Sequence, residues 1–196
     1  MKIVPPVRLK LITPAENHIH SRGFYQEEEE SLYVPLYPGG RFFSYLDGDN
    51  IRLDIDNKGR LLFLSLNIPR RRWIKVPRLR FPAVPGSASM KIINFRDRLP
   101  RARIYSSLNI QNLHISLFKE PVENTYQLTP SLLIETGTNN NLTGFWIKGV
   151  EEDRAALKMA AWRKHMKDEQ EKNVPVYKRE PYSGRREQAE KKRRSY

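Results

Sequence analysis

Apolar and polar residues alternate along most of the chain before residue 150, with the period of two that β-strands with one buried face show. Residues 7–12 alternate apolar and basic side chains, and residues 32–36 place three apolar side chains on one face. Residues 51–55 and 61–66 flank a turn in which Gly59 suits the left-handed conformation that closes many hairpins. The pattern predicts a mainly β (α+β) fold built of antiparallel meanders.

The pattern of the first half recurs without gaps in the second half, at a constant distance along the chain that we call the repeat spacing. This spacing carries Leu32, Val34 and Leu36 onto Leu113, Ile115 and Leu117. It also carries Gly59 onto Asn140, and asparagine tolerates the left-handed region better than most residues do. The recurrence predicts two related β-meander repeats, at residues 1–68 and 88–149, packed as one unit. Chance similarity between two meanders is the alternative, because direct identities are few.

Each half resembles a small, uncharacterised bacterial β domain. In such a domain, a strand of the form Leu-x-Val/Ile-x-Leu precedes an apolar strand, an acidic turn with glycine and an apolar return strand. The resemblance is carried by residues 32–36 with 51–66, and by residues 113–117 with 132–147. The usual ending Gly-x-Glu-Ile-Leu is replaced by Phe63-Leu-Ser-Leu and by Gly144-Phe-Trp-Ile, so its acidic position is absent from both halves. The family has no assigned chemistry, and the resemblance therefore implies a fold and no catalytic residue.

Three segments lie outside the predicted repeats. Residues 69–87 are rich in arginine and proline and contain no acid, which predicts an extended basic connector. Residues 150–172 have a helical period, with Glu151, Glu152 and Asp153 in the first turn, where the helix dipole favours acids. Residues 173–196 are polar and charged, which predicts a flexible basic tail.

The predicted C-terminal helix carries a narrow apolar stripe, formed by Ala155, Met159, Trp162 and Met166. Such a stripe usually docks on the chain's own sheet. The other interpretation is a partner-binding surface made of Met159, Trp162 and Met166, because Met and Trp are frequent where a helix enters a partner's groove.

The charge balance changes the functional picture more than any single motif does. The formal net charge is +13, which favours polyanionic partners such as nucleic acid. The chain has no cysteine, so disulfides, thiolate metal sites and a cysteine nucleophile are excluded. No apolar run reaches the ~18 residues of a membrane span, and the N-terminus lacks the apolar core of a signal peptide. We therefore expect a cytoplasmic protein without a membrane partner.

The candidate nucleic-acid-binding residues are the cations of the connector with one aromatic neighbour, and the cations of the tail. Arginine grips phosphate through forked donors, and an aromatic ring can stack on a base. The alternative for the connector is an edge strand with its arginines on the wet side. The predicted residues are Arg70, Arg71, Arg72, Trp73, Lys75, Arg78 and Arg80, and in the tail Arg185, Arg186, Lys191, Lys192, Arg193 and Arg194.

Candidate metal and catalytic residues are few. The segment from Asp54 to Gly59 opens like a calcium loop but has Lys58 and Ser65 at ligand positions, so it fails the motif. His18 and His20 could share one face of an extended segment, yet only two other histidines exist to complete a cluster. Phosphate-loop and nucleophile-elbow motifs are absent from the sequence. We predict no cofactor, no metal and no enzymatic activity.

The function that this sequence favours is a non-enzymatic nucleic-acid-binding or assembly subunit of a larger intracellular complex. The connector and the tail would contact the phosphates of the nucleic acid. The alternative is a protein–protein adaptor, such as an antitoxin-like or scaffold subunit, whose helix and tail bind an acidic protein. A weaker third hypothesis is a small metal-dependent hydrolase that uses Asp54 and Asp56.

Overall fold

The structure, a computed structural model, describes residues 4–15, 21–37, 40–83, 86–95, 98–152, 165–166 and 169. These residues form fourteen β-strands and two short 3-10 helices. The strands are β1 (Leu9–Ile12), β2 (Phe24–Gln26), β3 (Ser31–Pro35), β4 (Phe42–Asp47), β5 (Ile51–Asp56), β6 (Leu61–Asn67), β7 (Ile74–Lys75), β8 (Ser89–Ile92), β9 (Arg103–Ser106), β10 (Asn112–Ser116), β11 (Asn124–Thr129), β12 (Leu132–Thr136), β13 (Leu142–Lys148) and β14 (Glu151–Glu152). The 3-10 helices are Arg70–Arg72 and Thr138–Asn140. The prediction of a mainly β fold is confirmed.

The first sheet has the strand order β14-β2-β3-β6-β5-β4, and all its pairs are antiparallel except β14 with β2. Its β5–β6 hairpin turns at Gly59, which has a φ of +78°. The buried carboxylate of Asp56 accepts hydrogen bonds from the backbone N–H groups of Lys58 and Arg60, at 2.9 and 2.8 Å. These bonds hold the turn in the conformation that the sequence predicts.

The second sheet has the strand order β11-β12-β13-β10-β9-β7, and β7 runs parallel to β9. The connection between β12 and β13 turns through Asn140, whose φ is 58° and therefore positive. This is the left-handed conformation predicted from its alignment with Gly59.

Strands of the two sheets lie at positions along the chain that differ by the repeat spacing. This spacing carries both ends of β3 onto the ends of β10, and both ends of β6 onto the ends of β13. Without their parallel edge strands, the two orders read β2-β3-β6-β5-β4 and β9-β10-β13-β12-β11, which correspond strand for strand.

Contacts between the halves also follow the repeat spacing. Asn50 exchanges two hydrogen bonds with the backbone of Ala102, and Ser131 donates its hydroxyl to the backbone oxygen of Ser21. The spacing carries Asn50 onto Ser131 and Ser21 onto Ala102, so one polar contact between the halves is present in two versions.

The two halves exchange edge strands. β7 follows the last strand of the first half and pairs with β9 of the second sheet, whereas β14 follows the last strand of the second half and pairs with β2 of the first. Between the sheets, β1 and β8 form an antiparallel ribbon in which Lys10 lies opposite Lys91. One edge strand of each described six-stranded sheet therefore comes from the other half of the chain.

One hydrophobic core joins both sheets and the ribbon. It contains inward-facing residues of the first sheet such as Leu53 and Leu64, of the second sheet such as Ile115 and Phe145, and of the ribbon such as Leu9. The alternation of apolar and polar positions therefore reports burial, as the sequence analysis expects.

One prediction about the C-terminal segment is wrong. Glu151 and Glu152 form β14 and pair with Phe24 and Tyr25, so they are not the first turn of a helix. Further along, His165, Met166 and Glu169 are helical. Acidic residues suit an exposed strand edge as well as a helix start, and this is why the sequence pattern misleads here.

Candidate nucleic-acid interface

Near the start of the connector, the side chain of Trp73 is held in the hydrophobic core. The Trp73 ring is buried, meets the Tyr25 ring edge-on with centroids 5.2 Å apart, and donates its Nε1–H to the backbone oxygen of Ile68 at 3.2 Å. From the sequence, Trp73 is expected to be a platform for a nucleobase. In the structure its ring is part of the core, so it presents no free face to a base.

The first two arginines of the connector contact the chain itself. The Arg70 guanidinium lies over the Tyr25 ring, 4.0 Å from its centroid. Arg71 pairs with Glu30 through an N···O distance of 2.9 Å, although 75% of its side chain is exposed. Cation–π contacts and ion pairs of this kind compete with phosphate binding.

The rest of the connector crosses the second sheet on the face opposite the core. Val76 donates its backbone N–H to the backbone oxygen of Ser106 at one edge of this sheet. At the other edge, Gln127 donates its N–H to the backbone oxygen of Gly86. Between them, the Phe81 ring packs against Trp146, with centroids 5.5 Å apart. The cations that are exposed along this path are Lys75, Arg78 and Arg80.

Where the connector joins the second sheet, the chain forms a cleft of about 760 Å³ that we call the basic groove. It is lined by four cations from three segments, together with apolar side chains and backbone. The cations are Arg72 from the connector, Arg101 and Arg103 from the approach to β9 and its first residue, and Lys119 after β10. Of these four, only Arg72 is among the nucleic-acid-binding residues predicted from the sequence.

The basic groove has an unbalanced positive charge. Among the described residues, its lining contains no Asp or Glu and none of its four cations forms an ion pair. All four side chains are exposed. A cavity of this volume is on the order of 10 Å across, about one Debye length at 0.1 M salt, so the four charges act together on an anion.

Apolar side chains lie beside these cations. Ile74 is 47% exposed, Phe118 is half-buried, and Ile68 is buried beneath them. Cations next to an accessible apolar surface suit a ligand that has both phosphate and a flat unstacked ring, such as single-stranded nucleic acid.

Arg101 and Arg103 are brought together by local alternation. Ala102 and Ile104 are buried, and the intervening arginines therefore point away from the core. This alternation is visible in the sequence, but Arg101 and Arg103 lie outside the segments that are densest in basic residues, so the prediction does not include them.

The carboxylates considered for catalysis are bound to arginines. Asp54 accepts a hydrogen bond from Arg52 Nε at 2.7 Å, and Asp56 accepts one from Arg60 Nε at 2.6 Å. Burial raises the pKa of Asp54, while the charge of Arg52 and its hydrogen bond oppose the shift. Asp54 and Asp56 thus serve as ion-pair and turn residues.

The described residues contain no candidate metal centre. Among them, no group of three or more His, Asp or Glu side chains could hold a metal ion. His18 and His20, which the sequence analysis considered as ligands, lie outside the described residues.

A polar cluster around the buried Glu135 lies on the outer face of the second sheet and is not predicted from the sequence. The Glu135 carboxylate accepts a hydrogen bond from Trp146 Nε1 at 2.6 Å and contacts His114 Nε2 at 2.8 Å. The His114 ring stacks on Trp146 on one side and on Tyr105 on the other, at centroid distances of 4.4 and 5.7 Å. These contacts hold the side chains of the outer face in place where the connector crosses the second sheet.

The predicted partner-binding stripe is described at one position. Met166 is buried in a cluster with Tyr33, Phe42, Leu62 and Phe63 of the first sheet. Met166 therefore docks on the chain's own sheet, the first of the two interpretations of the stripe. The other stripe residues Met159 and Trp162 lie outside the described residues, as do the tail cations Arg185, Arg186, Lys191, Lys192, Arg193 and Arg194.

Comparison with protein-family models gives no match, and comparison with curated proteins gives none either. The resemblance of each half to small bacterial β domains therefore rests on its residue pattern. In the part of the chain that the structure covers, no helix has the length and apolar character needed to cross a membrane.

Proposed function

We propose that this protein is a non-enzymatic nucleic-acid-binding subunit of a larger intracellular complex, and that the basic groove is its phosphate-binding centre. The observation that carries the proposal is the convergence of four cations on one cleft whose lining, as far as the structure describes it, has no acid. Binding to a polyanion would relieve the mutual repulsion of these charges and release counterions.

The exposed cations of the connector extend this surface. Lys75, Arg78 and Arg80 follow the groove along the chain, and the connector that bears them is fastened at both edges of the second sheet. A nucleic-acid strand leaving the groove would meet these charges next, and the tail cations would add salt-sensitive contacts. The proposed surface no longer includes the Trp73 ring.

The accessible apolar surface of the groove favours a single strand over a duplex. A base that is free of its partner can pack on Ile74 and Phe118 while its phosphate meets the cations, whereas the bases of a duplex are stacked inside it. We therefore propose single-stranded RNA or DNA as the ligand.

The test is a binding titration with a labelled single-stranded oligonucleotide of about 20 nucleotides. Substitution of Arg101, Arg103 and Lys119 by Gln should weaken binding about 100-fold at 0.1 M salt. Each phosphate contact contributes about −0.7 to the slope of log affinity against log salt concentration, which is worth ~0.7 log units of affinity at 0.1 M relative to 1 M salt. The matched control replaces three exposed cations outside the groove lining by Gln, and these are Arg8, Lys10 and Lys58.

Equal losses in the two triple variants would show that binding follows total charge, and the groove would then have no special role. Absence of binding by the unaltered protein at low salt would overturn the proposed function. Purification with a specific protein partner that survives nuclease treatment would instead favour the adaptor hypothesis.

Three further elements belong to the proposal. The two halves descend from one duplicated β unit, which is supported by their matching strand orders and by the paired contacts at the repeat spacing. The C-terminal segment forms a helix that covers the first sheet, which is supported by the burial of Met166. The protein acts in the cytoplasm, a reducing compartment that contains nucleic acid and in which a protein without cysteine loses no disulfide.

A further inference from the structure

The basic groove has a structural counterpart in the other half of the protein. A second cleft, of about 690 Å³, lies where β14 joins the first sheet, and we call it the paired groove. The repeat spacing carries several residues of its lining onto residues that line the basic groove. These pairs are Ser21 with Ala102, Arg22 with Arg103, and Pro35 with Ser116. The same backbone arrangement is therefore present twice.

The exchanged edge strands place one residue at the same point of each groove. Ile74 of β7 lies opposite Tyr105, and Glu151 of β14 lies opposite Phe24. The repeat spacing carries Phe24 onto Tyr105, so Ile74 and Glu151 occupy equivalent register positions. Both side chains line their grooves. One groove thus has an apolar residue where the other has a carboxylate.

This difference determines whether the arginine at the equivalent position of each groove, Arg22 or Arg103, is neutralised by a neighbouring carboxylate. In the paired groove, Glu151 Oε1 lies 2.5 Å from Arg22 Nη1. In the basic groove, the equivalent Arg103 faces a lining without acids and forms no ion pair among the described residues. A carboxylate at this point both neutralises the arginine and repels an incoming phosphate.

The remaining charges follow the same trend. The lining of the paired groove contains Arg22, Lys148 and Glu151, for a formal charge of 2 − 1 = +1, against +4 in the basic groove. The sequence has His20 and Pro38 at the positions that the spacing assigns to Arg101 and Lys119.

We infer that the residue at the exchanged edge strand, Ile74 in one groove and Glu151 in the other, determines which of the two grooves binds the phosphates of a single strand. The basic groove is the binding groove, and Glu151 closes the paired groove to anions. The inference rests on the proposed function and deepens it, because it explains why a duplicated unit would have one binding site.

The exposed ion pair that closes the paired groove can be removed without harm to the fold. The Arg22 and Glu151 side chains are 67% and 48% exposed, and an exposed pair contributes little to stability. Ile74 is also half exposed, so a polar residue fits there. Both Glu151 and Ile74 can therefore be substituted in the full chain.

The experiment titrates the full-length protein with a single-stranded oligonucleotide of about six nucleotides, followed by NMR, so that each groove reports separately. The methyl groups of Ile68 and Ile104 report on the basic groove, and the amides of Ser131 and Gly149 report on the paired groove. In the unaltered protein, only the first set should shift on titration.

Ile74→Glu should weaken binding at the basic groove about tenfold, because the new carboxylate pairs with Arg103 and repels phosphate. Ile74→Gln, which has nearly the same shape as Ile74→Glu without the charge, loses the same apolar contact with a base and should therefore weaken binding only about two- to threefold. Leu108→Glu, which adds a carboxylate at a 62% exposed position outside the groove lining, is the control for net charge and should also have little effect. Glu151→Gln should make the amides of Ser131 and Gly149 shift on titration.

The inference is overturned if Ile74→Glu binds like the unaltered protein, if Ile74→Gln weakens binding as much as Ile74→Glu does, or if the paired groove responds before Glu151 is changed. In all these outcomes the unaltered protein still binds the oligonucleotide, so the proposed function stands. A chain that binds no oligonucleotide at all overturns the proposed function itself.

Discussion

Two adjacent arginines of the connector should differ sharply in their contribution to nucleic-acid binding. Arg72 lines the basic groove and has no ion-pair partner among the described residues, whereas Arg71 pairs with Glu30 at 2.9 Å. The perturbation is a single Gln substitution at each position. Both variants lose one positive charge from the same short segment, so total charge and position along the chain are matched.

The magnitude follows from the number of free cations in the groove. Each phosphate contact to a single strand contributes about −0.7 to the slope of log affinity against log salt concentration, so four groove cations contribute about −2.8. Between about 50 and 200 mM salt this part of the binding should weaken about 50-fold. Arg72→Gln leaves a slope of about −2.1 and a factor of roughly 18. Arg71→Gln should leave the slope nearly unchanged, because Arg71 must first give up Glu30.

The assay is fluorescence anisotropy of a labelled single strand at four or more salt concentrations, with thermal unfolding of each variant as the control for folding. Equal changes of slope in the two variants would refute the argument that an existing ion pair withholds Arg71 from phosphate. No change in either variant would remove Arg72 from the interface.

The remaining predictions concern stability and are all measured by urea unfolding. Gly59→Ala should lower the free energy of unfolding by about 2–4 kcal/mol, because φ is +78° and the new Cβ would collide with the backbone oxygen of Ile92 in β8. Asn140→Gly should change it by less than about 1 kcal/mol, and equal effects at the two turns would contradict the close approach of the ribbon to Gly59. Glu135→Gln should lower the free energy of unfolding by about 1–3 kcal/mol, because an amide oxygen cannot fully replace a carboxylate that contacts both the Trp146 indole and the His114 imidazole. An unchanged urea midpoint would argue against both of these contacts. Burial raises the pKa of Asp54 above 3.8, so the folded state binds the proton more tightly and this residue's contribution to stability falls as pH rises through the folded pKa. Asp54→Asn should abolish this pH-dependent contribution to stability. Identical profiles of unfolding free energy against pH for the variant and the unaltered protein would contradict the raised pKa of Asp54.

The sheets could be predicted from the sequence because the alternation of apolar and polar residues directly reports burial. Leu32, Val34 and Leu113 were placed on inward faces, and all are fully buried. The two tight turns were predicted from Gly59 and Asn140, since few other residues tolerate a positive φ.

The exchanged strands could not be predicted in the same way. An edge strand is one of the two interpretations of the connector, but the sequence pattern gives no partner for it, because β7 and β14 are short and their partners lie in the other half of the chain. Glu151 and Glu152 match the composition of a helix start equally well. Only the tertiary arrangement decides between the two states.

The candidate site was predicted in part, because density of basic residues along the chain is a poor guide to free charge in space. Arg70 and Arg71 stand in the densest run and contact Tyr25 and Glu30. Arg103 lies outside the connector, and the pairing of β7 with β9 brings it into the same groove as Arg72.

The exchange of edge strands also has a consequence for synthesis of the protein on the ribosome. Five strands of the first sheet have been made once Asn67 is reached, but the sixth strand consists of Glu151 and Glu152. Until these residues leave the exit tunnel, the β2 edge stays open to other chains, and unpaired edges of this kind promote aggregation. We therefore expect the nascent chain to depend on chaperones or on slow translation until both halves are present.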